Sequence, residues 1–109
     1  MKILKFLLII FFVSITSSKN TFADEAKMKK GLEIFNETAG CAACHVLKAA
    51  GSEGNIGPNL DTVEGLNYDS VMDIVTHGLG VMPAFGEDEI LTKEQIDIVS
   101  FYVANSAGK

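Results

Sequence analysis

The chain has 109 residues, nine basic against 14 acidic side chains, a net charge of −5 at neutral pH and only two cysteines. All nine basic residues are lysine, and this acidic balance excludes a nucleic-acid backbone as the natural partner. The length allows one small domain, which buries a modest core and gains from a staple such as a disulfide, a metal or a cofactor.

The first stretch, MKILKFLLIIFFVSITSSKNTFADE, carries Lys2 and Lys5, an apolar run from Phe6 to Ile15, and then polar residues. Small residues Thr21 and Ala23 precede Asp24, the layout of a secretory signal peptide cleaved after Ala23. A membrane-spanning helix needs ~20 apolar residues, more than this run supplies. The expected division is therefore a signal peptide over residues 1–23 and one domain over residues 24–109. The 86 residues from Asp24 onward keep six lysines and all 14 carboxylates, a balance of −8. A basic protein face suits such a surface, and no stable membrane insertion is expected once the signal is removed.

Three helical patterns follow, separated by glycine-bearing loops. In the first, Met28, Leu32, Phe35 and Ala39 form an apolar stripe, with Lys29, Lys30, Glu33 and Glu37 on the other side. The second places Val71, Ile74 and Val75 in phase, with Asn67 or Asp69 as its cap and Gly78 as a left-handed stop. The third opens on a Thr92/Gln95 capping box with Leu91 and Ile96 spaced as a hydrophobic staple, and buries Ile96, Val99 and Val103. No strand ladder is evident. The fold class is all-α, with loops long enough to wrap around something.

Both cysteines fall in the segment AGCAACHVLKAAG, where Cys41, Cys44 and His45 occupy five positions. A thioredoxin-like pair wants a βαβ context, which is missing. A structural zinc site needs four ligands; Cys41, Cys44, His45 and His77 would be four, but at a spacing that zinc sites do not favour. A simple disulfide would close a very short loop and leave His45 unexplained. C-x-x-C-H in an exported all-α chain reads as covalent attachment of a c-type haem, with the thiols bonding the vinyl groups and His45 turned to the iron. Ala42 and Ala43 are small enough for the macrocycle to lie close.

The second axial position has a candidate in Met82. Haem iron in electron-transfer proteins takes a His and a Met in many cases. Met28 and Met72 lie in helical patterns and read as packing, whereas Met82 follows Gly78-Leu79-Gly80 and precedes Pro83 in a loop 37 residues beyond His45. His77 is the rival. Its place at the end of a helix suits a cation, so it reads as a surface or haem-edge histidine.

Over nearly all of the domain the sequence resembles the mono-haem class I cytochromes c. The likeness runs through GLEIF (31–35), CAACH (41–45), GPNL (57–60), VMPAF (81–85) and the last helix with FYVANS. The resemblance implies a cytochrome c fold of three or more short helices around one haem, with the first and last helices crossing at one haem edge. It implies Met82 as the second axial ligand, and a bond from His45 to the carbonyl of Pro58. The implied cofactor-binding set is thus Cys41, Cys44, His45, Pro58 and Met82, with His45 and Met82 on the metal.

Phe35 and Tyr102 read as core at the helix crossing; Tyr68 and Phe85 could border the haem. The run GEDEI (86–90) reads as a solvated loop. No acid–base constellation suggests an enzyme. The expectation is a periplasmic one-electron carrier between redox partner proteins with basic docking faces. Two alternatives stand beside it: a haem subunit held permanently in an oxidoreductase complex, and a ligand-binding or peroxidatic haem protein.

Overall fold

Three α-helices and a set of short turns make up the computed structural model, which describes residues 19–109. Lys2, Lys5 and the apolar run of the expected signal peptide lie outside the described residues. Helix α1 (Lys19–Glu33) runs directly into a single π turn over Ile34–Thr38, closed by the Ala39 N–H on the Ile34 carbonyl at 2.8 Å. Its expected stripe faces inward, while Lys29, Lys30, Glu33 and Glu37 are exposed. The stripe omitted Ile34, which is fully buried beside Phe35. Ile34 directly precedes Phe35 of the stripe, so the inward face is wider there than the stripe read from a period of 3.6. The expected cleavage point after Ala23 falls within α1.

A 3₁₀ turn over Cys41–Ala43 follows, then strands β1 (Val46–Leu47) and β2 (Ser52–Glu53). They pair antiparallel, two residues each, around a second 3₁₀ turn at Lys48–Ala50. This hairpin is too short to have left an alternating pattern in the sequence. Helix α2 (Tyr68–His77) begins at Asn67, whose side chain accepts from the Ser70 N–H while the Ser70 hydroxyl accepts from the Asn67 N–H. It stops at Gly78, but not in the left-handed helical conformation expected. Gly78 has φ 74° and ψ 170°, a region open essentially to glycine alone, and this sends the chain away extended.

Helix α3 (Lys93–Ser106) opens on the expected Thr92/Gln95 capping box, at 3.1 and 2.9 Å. It packs against both other helices. At the α1/α3 crossing the backbone of Gly31 lies against Tyr102, where a Cβ would stand 2.2 Å from the Tyr102 Cβ. Phe35 and Tyr102 meet there as tilted rings with centroids 6.1 Å apart. On the outside, Asp97 of α3 gathers one residue from each of the other helices. It accepts from the Tyr68 hydroxyl and pairs with Lys27 at 3.1 Å, and the Lys27 ammonium also lies over the Phe101 ring. Tyr68 is thus bound to α3, its hydroxyl pushed up to about 12 by that carboxylate.

Candidate functional site

The core is one-sided. Phe35, Val75, Phe85, Val99 and Val103 pack into it and at the same time wall a cavity of about 620 Å³, the size range of a cofactor or substrate site. Cys41, Cys44, His45, Pro58 and Met82 all line it. All five residues named from the sequence therefore share one space. His77 and Tyr68 are not among the lining residues, and Phe85 is.

The thiols sit where the 3₁₀ turn after Gly40 places them. Gly40 has φ 69°, so the chain turns sharply into the motif, and the His45 N–H bonds back to the Cys41 carbonyl at 3.0 Å. The two cysteines are not bonded to each other. Burial pushes the Cys41 thiol up to about 11, its own backbone hydrogen bond opposes this, and the nearby Cys44 adds to it. A dithiol redox centre works through a lowered thiol pKa, and burial moves Cys41 the other way. Zinc fares no better: among the described residues no three His, Cys, Asp or Glu side chains group so as to hold a metal ion. His77 instead bonds Glu87 through Nδ1 at 2.5 Å.

His45 is held from behind. Its Nδ1 lies 2.7 Å from the Pro58 carbonyl, which sets Nδ1 as the donor and leaves Nε2 as the free ligand atom. The neighbouring residue makes this possible by having no side chain. A Cβ on Gly57 would stand 2.6 Å from the imidazole Cε1, and the Gly57 N–H bonds the Cys44 carbonyl at 2.7 Å. The sequence pattern does not disclose this close approach. The signal available was a glycine directly before the proline already assigned to the histidine.

Met82 is presented by a tight hairpin. Leu79 and Met82 exchange both backbone bonds, at 3.2 and 3.0 Å, with Gly80 at φ 59° in the turn between them. Met82 is half-buried; Leu79 and Val81 are 69 and 89% exposed although they front the cavity, as is Ile56 at 70%. Met28 and Met72 pack against the core and do not line the cavity, as their helical positions predicted.

Apolar walls, two thiols, an imidazole with a free Nε2 and a thioether form a donor set that fits a covalently held porphyrin. The iron would take nitrogen and sulfur ligands, the vinyl groups would take the thiols, and the ring would lie on aliphatic side chains.

Residues 26–103 match the family model described as cytochrome C oxidase, cbb3-type, subunit III. A cytochrome c6 of Synechococcus sp. (strain ATCC 27167 / PCC 6312) is 33% identical over all of this chain and 96% of its own length. A cbb3-type cytochrome c oxidase subunit CcoP of Azospirillum sp. (strain B510) is 38% identical, over 75% of this chain and 31% of that protein. Among solved structures, the c-type cytochrome SorU from Sinorhizobium meliloti matches with a TM-score of 0.70 and 45% identity, over 78% of this chain and 95% of that one.

Proposed function

Because this chain belongs to the cytochrome c family, with a covalently bound haem c, we propose that it is an exported one-electron carrier whose iron is held by His45 and Met82. The observation that carries the reading is the meeting of Cys41, Cys44, His45 and Met82 on one apolar cavity. When bound, the haem supplies a single-electron Fe(II)/Fe(III) couple. The protein's part would be to anchor the group through Cys41 and Cys44, to orient the His45 imidazole through Pro58, and to offer the Met82 thioether as a second ligand to the iron. Ligation by both side chains would leave the iron no place for substrate, as suits a carrier and not an enzyme. A soft sulfur ligand and aliphatic walls that exclude water favour the reduced state and a positive potential.

Export follows from the amino-terminal layout, with cleavage after Ala23 delivering the domain to the periplasm. Cleavage there would place Asp24 and Glu25 in the first turn of the shortened α1, where carboxylates suit the helix dipole. Among the described residues no helix is long and apolar enough to cross a membrane. Donor and acceptor would be proteins with basic docking faces, given the balance of −8.

The test is spectroscopic. Acid–acetone should leave the haem on the protein, and the oxidised form should show the weak near-infrared sulfur-to-iron band. Met82→Ala should abolish that band, open the iron to carbon monoxide and lower the potential by on the order of tenths of a volt, within the ~0.8 V that axial ligation spans. Rapid carbon monoxide binding by the unaltered protein would reject the carrier reading for a ligand-binding one. The match to an oxidase subunit supports one second reading, a haem module held in an oxidoreductase complex. Copurification with a tightly bound partner would establish it.

A further inference from the structure

We propose that His77 and Glu87 form a positioning clamp across the loop that presents Met82, and that the clamp slackens when His77 loses its proton. The proposal rests on Met82 as an axial ligand. Its basis is the way this loop leaves and rejoins α2. The chain departs at His77, turns through the Leu79–Met82 hairpin, and comes back onto the helical turn it left. The Phe85 N–H bonds the Val75 carbonyl at 2.9 Å, and the N–H groups of Gly86 and Glu87 both reach the Thr76 carbonyl, at 3.2 and 3.1 Å. Close return is permitted by Gly86, where a Cβ would stand 2.8 Å from the Thr76 methyl.

These backbone bonds close the root of the loop at any pH. Outside them, one side-chain bond ties the last residue of α2 to the first residue past the loop: His77 Nδ1 to Glu87 Oε1, at 2.5 Å. It spans the segment containing Met82 while touching neither His45 nor Pro58, so it can act on the sulfur only by fixing the loop.

Three acidic groups face His77. Glu87 approaches from the returning chain, Asp73 lies 3.7 Å from Nε2 on α2 itself, and Asp88 borders the same shallow depression under the hairpin. The Glu87 hydrogen bond holds the His77 pKa above its usual value; desolvation opposes it, and the charges of Glu87 and Asp73 add to the upward shift. A raised histidine pKa means that the stabilisation is complete below the unfolded value of 6.5 and is lost as pH climbs through the folded value. The neutral imidazole can still donate from Nδ1. What disappears is the charge that makes the bond strong.

The experiment measures carbon monoxide binding to the reduced holoprotein at saturating gas, where release of Met82 from the iron limits the rate. Carbon monoxide is uncharged and adds no titration of its own. At low ionic strength the limiting rate should rise roughly twofold to fivefold from about pH 5.5 to about pH 9, the range expected of an exposed ion pair. His77→Gln and Glu87→Gln should each give the faster rate at both pH values. A limiting rate that saturates but stays constant with pH, or that keeps its pH dependence in both variants, overturns the clamp and leaves Met82 ligation standing. Fast binding that grows with gas concentration without limit, at every pH, overturns Met82 ligation and the clamp with it.

Discussion

The Gly57 Cα and the His45 ring are in van der Waals proximity so close that a Cβ on Gly57 would stand 2.6 Å from Cε1 and 2.9 Å from Nδ1 of the imidazole. Two constraints therefore act on one ring: the Pro58 carbonyl draws Nδ1 to 2.7 Å, and the bare glycine backbone gives the ring room to get there. Gly57→Ala should force the imidazole aside. The expected result is a lower haem-to-protein ratio and a loss of about 1–3 kcal/mol, the usual cost of overpacking, measured by pyridine haemochrome assay and denaturant unfolding. An unchanged spectrum and midpoint would show that the ring has slack.

Gly31 poses a contest between two effects of opposite sign. Alanine in a helix interior gains about 1 kcal/mol over glycine in propensity. Here its Cβ would meet the Tyr102 Cβ at 2.2 Å, between two helix backbones that cannot both yield. Gly31→Ala should therefore be net destabilising, by about 1–3 kcal/mol. Urea titration of the holoprotein decides it, and a stabilised variant would mean that the α1/α3 crossing can open without cost.

Asp61 ties the far end of the chain to the haem-binding half. Its two oxygens accept from the Gly108 and Lys48 N–H groups, each at 2.9 Å. The Gly108 bond, then the Lys48 bond, hold this carboxyl below the ordinary 3.8, with desolvation opposing. A lowered carboxylate pKa gives stability that is present above the unfolded value and is lost as pH falls through the folded one. The melting temperature should therefore drop below about pH 4, and Asp61→Asn should flatten that drop while lowering the melting point at neutral pH. Amide exchange at Lys48 and Gly108 should quicken in the same variant. A slope identical to the unaltered protein would assign acid sensitivity elsewhere.

Electron exchange with a basic partner should slow as salt is added. From Asp24 onward six lysines face 14 carboxylates, and opposite charge steers association by factors of roughly 10 to 1,000 that fade as the Debye length shortens. Stopped-flow rates from low to moderate ionic strength measure this. Rates that stay level would shift attention to the exposed apolar rim of Ile56, Leu79 and Val81.

Much of the site was legible because its signals are local. C-x-x-C-H names its chemistry within five residues, and the Thr92/Gln95 box is a contact between positions three apart. Likewise Met82 could be told from Met28 and Met72 by its loop setting, since helical periodicity predicts burial without any knowledge of partners. The chain alone thus determined an all-α domain, a thiol-anchored haem and the side chains that line its cavity.

Tertiary structure decided what depends on approach between distant segments. Gly57 and Gly31 matter for the space left beside His45 and Tyr102, and a glycine's sequence context does not reveal which neighbour will arrive. The Tyr68–Asp97–Lys27 knot joins residues from three helices, and His77 meets Glu87 only because the Met82 loop returns to the turn it left. At Ile34 and Phe35 the buried face is wider than the stripe that a 3.6-residue period picks out, because packing buries both neighbours. Propensity, capping and motif spacing are short-range and written in the order of residues; steric fit and charge pairing across the fold are fixed only when packing selects which surfaces meet.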